Sequence, residues 1–313
     1  MAVQQSRAKT AAYRSTTPRY FQRDSYLGGL LIAPAFLIIL VVMIIPLGYG
    51  LLLSLTDYQL GSQGIGHLVF LANYLHLFQD AEFLKALLVT LGFTVGALLI
   101  ELVLGITIAV LLMKINFQFG RVFRLIFTIP LLISPIIVGL AWRYMYDPTY
   151  GLIYQALGVF HLQNWFGGLG SVQWALVCVM LADVWETTPF ILLVATSGLA
   201  AIPTDLYEAG QMDGAGGFRQ FFHITLPLLE KVIIVLSIIR GVDAFRVFDI
   251  IYALTGGGPA NSTQSLSIYI FKLGFTNYQM GYAMAISVIT MIILLAIFLP
   301  LIKRSNENVV SFY

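Results

Sequence analysis

Charged residues are scarce in this chain: Asp, Glu, Lys and Arg together make up 10% of its 313 residues. Soluble domains carry about 25% of such residues, whereas hydrophobic residues here reach 59%. Because so few charges cannot cover the surface of a soluble fold, the composition predicts a membrane protein. The net charge of +2 gives no reason to expect nucleic acid as a partner.

Residues that hold metals, disulfides or nucleotides are also rare. Cys178 is the only cysteine, which excludes a disulfide within the chain and a cysteine-based metal site. The four histidines are scattered without metal-ligand spacing, so we expect no metal site. The sequence has no G-x-x-x-x-G-K-[ST] phosphate-binding loop. We therefore expect no ATP site or other cofactor in this chain, and no enzymatic activity.

Long apolar runs are abundant instead. A helix needs about 20 apolar residues to cross a bilayer, and six runs meet this requirement. The first run is too long for the apolar core of a signal peptide, so we expect it to be retained. The sequence thus predicts an all-α membrane protein with six transmembrane helices. The predicted spans are 27–55, 85–113, 122–145, 173–198, 228–254 and 279–302.

The uneven distribution of Lys and Arg predicts the orientation. Five of them precede the first span, three lie at the connection into span three (Lys114, Arg121 and Arg124), and two directly follow span six. The opposite connections hold only Lys272. Because positive charges stay on the cytoplasmic side, both termini and the connection between spans four and five are predicted to be cytoplasmic. The domains are then an arm at 1–26, a membrane domain at 27–304 and a tail at 305–313.

A polar segment, EAGQMDGAGGFRQFFHITLPLLE at 208–230, separates spans four and five. Its pattern predicts a short helix, a glycine turn and a second short helix. Asp205 and Glu208 have the spacing of a capping box, and Pro227 falls in the first turn of span five, where proline is tolerated. From these features alone, a capped amphipathic loop with no further role remains an alternative.

The first 20 residues of this segment resemble the cytoplasmic-loop signature of the membrane subunits of binding-protein-dependent ABC importers. That signature reads E-A-A, three residues, G, nine residues, I, one residue, L-P. This chain follows it, with a glycine in place of the second alanine. The matching positions are Glu208, Ala209, Gly210, Gly214, Ile224, Leu226 and Pro227.

Other stretches are similar to the sugar-permease branch of this family. They include AWRYMYDPTYGLIY at the end of span three and FRVFDIIYALTGGGPANSTQSLSIYIF at the end of span five. Within the second stretch, DAFRVFD is most similar to permeases for trehalose, maltose and related disaccharides. The resemblance implies a type I ABC importer permease fold in the cytoplasmic (inner) membrane. It also implies the import of a sugar, such as trehalose or maltose.

In this family, the loop at 200–227 is a coupling helix that docks in a groove of a separate ATPase subunit. The resemblance implies two copies of that subunit, which bind ATP and Mg, together with an extracytoplasmic sugar-binding protein. It also implies a second, homologous but different permease, with lipid around the pair. The residues that are expected to couple this chain to the ATPase are Glu208, Ala209, Gly210, Asp213, Gly214, Ile224, Leu226 and Pro227.

Several ionisable residues lie inside predicted spans, where they are costly and usually functional. Four of them recur every three residues in span five, from Arg240 to Asp249. They form either a self-neutralising ladder along the helix or, at Arg240 and Asp243, contacts with sugar hydroxyls. Asp249 and Tyr252 are expected to be gate or packing residues, and Glu101 is expected to pair with a neighbouring helix. The resemblance adds lining positions from span four. The predicted substrate path comprises Asp183, Trp185, Glu186, Thr187, Phe190, Arg240, Asp243 and Arg246.

Other functions remain open on the sequence alone. An ion-coupled secondary sugar carrier is the main alternative, and a scaffold subunit without transport is the second. A carrier would usually show internal repeats, which we do not find, and it gives no reason for the signature at 208–227. The TGGGP stretch at 255–259 is either a helix stop with a turn or a contact for the external sugar-binding protein.

Overall fold

The computed structural model describes residues 31–113, 117–163 and 165–310. The predicted N-terminal arm, 1–26, lies outside the described residues. The chain divides into two units, Met1–Leu52 and Leu53–Tyr313.

The first unit contains most of helix α1, Leu31–Ser54, which has no charged residue. A π-helical turn widens this helix at Leu40–Ile44, just before Pro46. Proline has no N–H to donate and its ring crowds the carbonyl four residues earlier, and a wider turn relieves both problems. Helix α1 is long and apolar enough to cross a bilayer.

The second unit is built from helices α2 to α13. Outside an isolated bridge between Thr56 and Leu68, the described residues form no β-structure, which confirms the predicted all-α class. The helices are α2 (Ala72–Leu77), α3 (Ala81–Met113), α4 (Phe117–Thr128), α5 (Pro135–Met145), α6 (Leu152–Val159), α7 (Ala175–Ala200), α8 (Thr204–Met212), α9 (Gly217–Leu228), α10 (Glu230–Phe245), α11 (Asp249–Leu254), α12 (Leu266–Phe271) and α13 (Met280–Val310).

Four helices in the described residues, α1, α3, α7 and α13, are each long and apolar enough to cross a membrane. Two bent helix pairs raise the number of candidate spans to six, as predicted. The third predicted span, 122–145, is therefore not straight: it turns by 97° between Leu132 and Pro135. Prolines at 130 and 135 lack N–H groups, so the helical hydrogen-bond ladder is interrupted on both sides of this bend.

The fifth predicted span, 228–254, also differs from the prediction. It begins at Glu230 after a 65° bend, stops at Phe245 and resumes at Asp249. Pro227 therefore lies at the end of α9 and not in the first turn of the span. A π-helical turn at Phe221–Thr225 precedes Pro227, just as another precedes the proline in α1.

Helix α7 is the most buried span. Its most apolar window is 56% buried, against 28% for α3 and 17% for α13. Helix α3 lies close to α7 because small residues face the contact: Ala97 and Ala182 are fully buried, and a Cβ added to Gly105 would lie 2.6 Å from Ile191 Cγ2. In lipid, where hydrophobic attraction between helices is weak, such close approach supplies the dispersion contacts that hold spans together.

Asp80 anchors the start of α3. Its Oδ1 accepts backbone N–H bonds from Glu82 and Phe83 at 3.0 and 3.2 Å, which satisfies two free donors of the helix. Its Oδ2 accepts hydroxyl bonds from Tyr269 and Tyr282, both at 2.6 Å. Burial acts to raise the pKa of the Asp80 carboxyl, but these hydrogen bonds outweigh burial and lower the pKa below its ordinary value of 3.8. One carboxylate thus ties α3 to α12 and α13.

Candidate functional site

A buried cluster of charged residues joins α3, α7 and α10. We call it the Arg240 cluster; its members are Arg240, Glu101, Asp183 and Asp243. Arg240 Nε donates to Glu101 Oε2 at 2.8 Å, and Arg240 Nη2 donates to Glu101 Oε1 at 2.9 Å. Nη2 also donates to Asp183, and Nη1 donates to Asp243 Oδ2 at 2.9 Å. The partner expected for Glu101 on a neighbouring helix is therefore Arg240.

The Arg240 cluster uses most of the hydrogen-bonding capacity of its only cation. A guanidinium has five N–H groups, and four of them are engaged here. Thr187 Oγ1 adds a bond to Glu101 Oε1 at 2.9 Å. Buried charges are costly unless they are paired and hydrogen-bonded, and this network meets that condition. The cluster therefore holds three helices together, and Arg240 has little capacity left for a ligand.

A cavity of about 590 Å³ lies beside this cluster. Leu131 and Ile133 from the bend after α4 line it, and so do Val247 and Phe248 from the break between α10 and α11. Its volume falls within the usual range of about 300–1,000 Å³ for small-molecule sites. No group of His, Cys, Asp and Glu among the described residues could hold a metal ion. The charged and hydroxyl-bearing lining residues are Asp183, Glu186, Thr187, Arg240, Asp243, Arg246 and Asp249.

Six of the eight residues predicted for the substrate path line this cavity, but Trp185 and Phe190 do not. Trp185 faces the opposite side of α7, where it is 43% exposed and its ring lies 5.9 Å from that of Trp142. Phe190 lies about one turn beyond the cavity and packs against the core around Ile106 and Leu192. The helical period of 3.6 residues turns Trp185 away from Asp183 and Thr187, whereas Phe190, three residues after Thr187, lies on the same face one turn further along α7.

The predicted ladder of four charges forms only at its first step. Arg240 pairs with Asp243, but the further steps through Arg246 and Asp249 form no ion pair within the described residues. The reason is that α10 ends at Phe245. Beyond that point, a spacing of three residues no longer places side chains on one helix face.

Glu186 stands apart from the Arg240 cluster. It is only 5% exposed and lines the cavity. Among the residues that the structure describes, it has neither a hydrogen bond nor an ion pair. A buried carboxylate without a partner is costly, and in this respect Glu186 differs from Glu101 and Asp183, whose carboxylates are bound to Arg240.

Two serines that the sequence analysis missed hold the break between α10 and α11. Ser267 Oγ donates to the Arg246 carbonyl at 3.2 Å, and Ser265 Oγ donates to the Val247 carbonyl at 3.0 Å. Ser265 also caps α12 by accepting a bond from the Ile268 N–H. A serine directly before an apolar helix is a sequence signal for such a cap. Carbonyls at the break are thus satisfied from α12.

The segment 204–228, which we call the signature segment, forms a helix, a glycine turn and a second helix. The Ala215 N–H reaches the Gly210 carbonyl at 2.8 Å, and the Gly214 N–H reaches the Gln211 carbonyl at 3.0 Å. These two bonds form a Schellman motif. Gly214 has a φ of +76°, a conformation that glycine adopts without steric cost.

The predicted capping box at the start of this segment is wrong. Helix α8 begins at Thr204, its N-cap position is Pro203, and no side chain caps it. Asp205 instead lies in the first turn, where a negative charge still interacts favourably with the helix dipole. The proline fixes the helix start by itself, since it presets the backbone and ends the preceding segment.

Gly210 is the point where the two halves of the signature segment approach each other. A Cβ at this position would lie 3.1 Å from Ile224 Cδ1, so the glycine found in place of alanine relieves a tight contact. Beside it, the hydroxyls of Tyr207 and Thr225 lie 3.0 Å apart, and Gln220 Nε2 donates to the Tyr207 carbonyl at 3.3 Å. The two halves therefore form one hydrogen-bonded hairpin.

The exposed surface of the signature segment carries both acidic and apolar side chains. Glu208 and Asp213 are exposed and make no ion pair with described residues. Met212 is 88% exposed and Phe218 is 80% exposed, with the Phe218 ring resting on that of Phe222 at 4.8 Å. Exposed aromatic and methionine side chains beside polar groups are typical of a protein–protein contact.

The TGGGP stretch at 255–259 stops a helix. Helix α11 ends at Leu254, and Gly256 and Gly257 then turn the chain with φ values of +58° and +93°. Lys85 Nζ of α3 donates to the Ala260 carbonyl at 3.0 Å. This geometry favours the helix-stop interpretation of the stretch.

Known proteins are similar to this chain in sequence and in fold. The family described as "Binding-protein-dependent transport system inner membrane component" matches residues 101–307. The trehalose/maltose transport system permease protein MalF of Thermococcus litoralis is 38% identical over 293 residues, which cover 92% of this chain and 96% of that protein. The trehalose transport system permease protein SugA of Mycobacterium tuberculosis is 34% identical over 291 residues, which cover 92% of this chain and 91% of that protein. Among solved structures, a chain of a bacterial ABC transporter involved in the import of the acidic polysaccharide alginate has the same fold, with a TM-score of 0.78 and 24% identity over 92% of this chain and 98% of that chain.

Proposed function

The chain belongs to the family of inner-membrane components of binding-protein-dependent transport systems, and we propose that it is the permease subunit of an ATP-driven importer for a disaccharide such as trehalose or maltose. The observation that carries this proposal is the 38% identity to a trehalose/maltose permease along 92% of the chain. The subunit transports and does not catalyse a reaction; ATP and Mg bind to a separate ATPase.

The signature segment is the docking element for that ATPase. Its exposed carboxylate at Glu208 supplies an ionic contact, and the small residues Ala209 and Gly210 allow close approach of the partner surface. The Schellman turn at Gly214 keeps the two halves of the hairpin in a fixed relation. Because Glu208 and Asp213 lack partners within the described chain, they are available for cations of another subunit.

Motion of the docked segment would be passed to α10. The signature segment ends at Leu228, and α10 follows after the fully buried Leu229. Helix α10 carries Arg240 at the cavity and ends at the break that Ser265 and Ser267 hold. A displacement of the hairpin therefore acts on the cavity through one helix of 16 residues.

The cavity beside the Arg240 cluster is the path for the sugar. Carboxylate and hydroxyl oxygens line it, and sugars present many hydroxyl donors and acceptors. Asp243 has a side chain that is 65% exposed and a second oxygen that Arg240 does not use. Glu186 and Thr187 of α7 also line the path, and so does Arg246 after the end of α10.

The full assembly contains two permeases, two ATPase subunits and an extracytoplasmic sugar-binding protein. The second permease is a homologous but different chain. This chain lies in the cytoplasmic (inner) membrane with both termini and the signature segment on the cytoplasmic side. The excess of Lys and Arg at the predicted cytoplasmic connections supports this orientation.

Reconstitution in proteoliposomes tests the proposal. The chain, its partner permease, the ATPase and the binding protein are purified, and uptake of radiolabelled trehalose and maltose is followed with ATP inside or outside the vesicles. We expect uptake that requires ATP on the ATPase side. We also expect Glu208→Ala to reduce co-purification of the ATPase several-fold, because a charge that fixes the docking geometry is lost.

The matched control is Glu230→Ala, which removes an exposed carboxylate whose one ion pair among the described residues is with Arg304. It should leave both co-purification and uptake near the level of the natural chain. Uptake by the chain without the ATPase, driven by a proton or sodium gradient, would instead support the secondary carrier and reject the importer.

A further inference from the structure

Glu186 is a buried carboxylate that lacks a partner and lines the cavity. Its residue is 5% exposed, yet it has no hydrogen bond or ion pair with the described residues. Other buried carboxylates of the cavity region differ, since Glu101 and Asp183 are both bound to Arg240. A carboxylate accepts several hydrogen bonds, so Glu186 offers acceptor capacity that no group of the described chain uses.

Arg240, the nearest cation, forms no hydrogen bond with Glu186 among the described residues. Arg240 already spends four of its five N–H groups within the Arg240 cluster. The charge of Arg240 attracts the Glu186 carboxylate, while the charges of Asp243 and Asp249 repel it. The cavity is lined by four carboxylates, from Asp183, Glu186, Asp243 and Asp249, against two guanidiniums, from Arg240 and Arg246. A ligand in the cavity therefore meets an excess of acceptors and of negative charge.

We propose that Glu186 determines the charge specificity of the cavity: it accepts hydrogen bonds from hydroxyl groups of an uncharged sugar and repels sugars that carry a carboxylate, sulfonate or phosphate. This inference rests on the function proposed above. It adds the residue that excludes charged sugars from the cavity.

Two physical steps connect Glu186 to this selectivity. Neighbouring hydroxyls of a sugar ring donate to a carboxylate in charge-assisted bonds, which are stronger than bonds between neutral groups. An anionic sugar loses these bonds at its own charged group and meets the like charge of the carboxylates that line the cavity. Glu101 supports the same effect from outside the cavity, because it neutralises the arginine that would otherwise attract an anion.

The fold by itself does not set this preference. A transporter involved in the import of an acidic polysaccharide shares the fold at a TM-score of 0.78. Side chains on a common backbone must therefore decide between neutral and acidic cargo. In this chain, the deciding groups are the carboxylate of Glu186 and the guanidinium of Arg240, which donates four of its five N–H groups within the chain.

A binding experiment on the complete assembly of permeases and ATPase, without the binding protein, tests this inference. Removing the binding protein leaves the cavity as the selecting site. The probes are trehalose and maltose, each compared with its derivative in which one primary alcohol is oxidised to a carboxylate. Isothermal titration calorimetry at pH 8.5 gives the ratio of the two dissociation constants. We expect the neutral sugar to bind at least about tenfold more tightly than the acid.

Glu186→Gln keeps the size of the side chain and removes its charge. We expect this variant to narrow the ratio to about two- or threefold and to unfold at the same temperature or higher, since a buried unpaired charge is removed. Glu230→Gln makes the same chemical change at an exposed ion pair outside the cavity. It should leave the ratio unchanged.

Three results would count against the inference. Equal binding of the neutral and acidic probes by the natural chain would overturn it, and so would an unchanged ratio in Glu186→Gln. A clear loss of thermal stability in Glu186→Gln would show that the carboxylate has a structural partner, and would also overturn it. Binding of none of the four probes would remove the proposed function together with this inference, so the two failures are distinguishable.

Discussion

The Arg240 cluster and the signature segment are both polar regions in an apolar chain, but they use their charges in opposite ways. In the cluster, four of the five N–H groups of Arg240 are bound to three carboxylates of the same chain. In the signature segment, Glu208 and Asp213 face outward and have no ion-pair partner in the part of the chain that the structure describes. Met212 and Phe218 beside them are almost fully exposed.

This difference indicates that the Arg240 cluster stabilises the subunit itself, whereas the signature segment contacts another subunit. A satisfied, buried network resists movement of the helices that it joins. An exposed surface with free charges and aromatic side chains gains most from a second protein. Glu186 combines both properties, because it is buried like the cluster and unpaired like the signature segment. A ligand, and not another subunit, therefore fits its position.

Replacing Arg240 removes the cation of the Arg240 cluster, and we expect this change to have the largest effect on stability. Arg240→Met leaves Glu101 and Asp183 buried without a cation, and we expect a loss of about 3–5 kcal/mol in the free energy of unfolding. Thermal unfolding of the purified chain in detergent measures it. Arg304→Met breaks the exposed pair with Glu230 and should cost at most about 1 kcal/mol. Similar losses in the two variants would contradict the account of the cluster.

The carboxylate of Asp80 is also hydrogen-bonded within the chain, and it lies outside the membrane-spanning segments. The pH dependence of stability therefore tests whether such a bound carboxylate stabilises the fold. Asp80→Asn weakens the bonds from Tyr269 and Tyr282, and we expect a loss of about 1–3 kcal/mol at neutral pH. Because hydrogen bonding lowers the pKa of Asp80 in the fold, the stabilisation is fully present above its ordinary pKa and disappears as the pH falls through the lowered value.

Unfolding temperatures of the natural chain and of Asp80→Asn, measured between pH 7 and pH 2.5, test whether the stabilisation is lost at low pH. The difference between the natural chain and Asp80→Asn should be constant above about pH 4 and should shrink below it. A difference that grows on acidification would show that the carboxylate is not the stabilising form.

A substitution of Gly214 tests the signature segment, where we expect the smallest effect on stability. Gly214→Ala forces a Cβ onto a residue with a φ of +76°, at a cost of about 1 kcal/mol to the hairpin. The unfolding temperature of the bundle should hardly change, while co-purification of the ATPase should fall a few-fold. Gly216→Ala is the control, since Gly216 has a φ of −66° and no neighbour would meet the added Cβ. Equal behaviour of the two variants would argue against a docking role for the turn.

Much of the fold could be predicted from the sequence because apolar runs and prolines are local signals. The spans at α3, α7 and α13 follow directly from run length. The broken span after α10 could not be predicted, because the break at 246–248 depends on Ser265 and Ser267, which approach from α12. Periodicity of charge suggested a continuous helix there, and a tertiary contact decided otherwise.

In the candidate site, too, local features could be predicted from the sequence and tertiary contacts could not. The signature segment was recognisable because its spacing is fixed by a local hairpin. The capping box at Asp205 failed because Pro203 defines the helix start instead. The cavity residues Asp183, Glu186 and Arg240 were found because ionisable groups are rare in spans. The sequence does not tell which of these side chains find hydrogen-bond partners within the chain, because that depends on distances between three helices.

Labelling of a single cysteine in the signature segment tests the central claim most directly. Cys178 is the only native cysteine and is fully buried, so Met212→Cys adds one reactive thiol at a position that is 88% exposed in the natural chain. Sealed vesicles of each orientation are treated with a membrane-impermeant maleimide, with and without the ATPase subunit. The account predicts labelling from the cytoplasmic side only, and strong protection when the ATPase is bound. Labelling from the outer side, or labelling that the ATPase does not reduce, would contradict it.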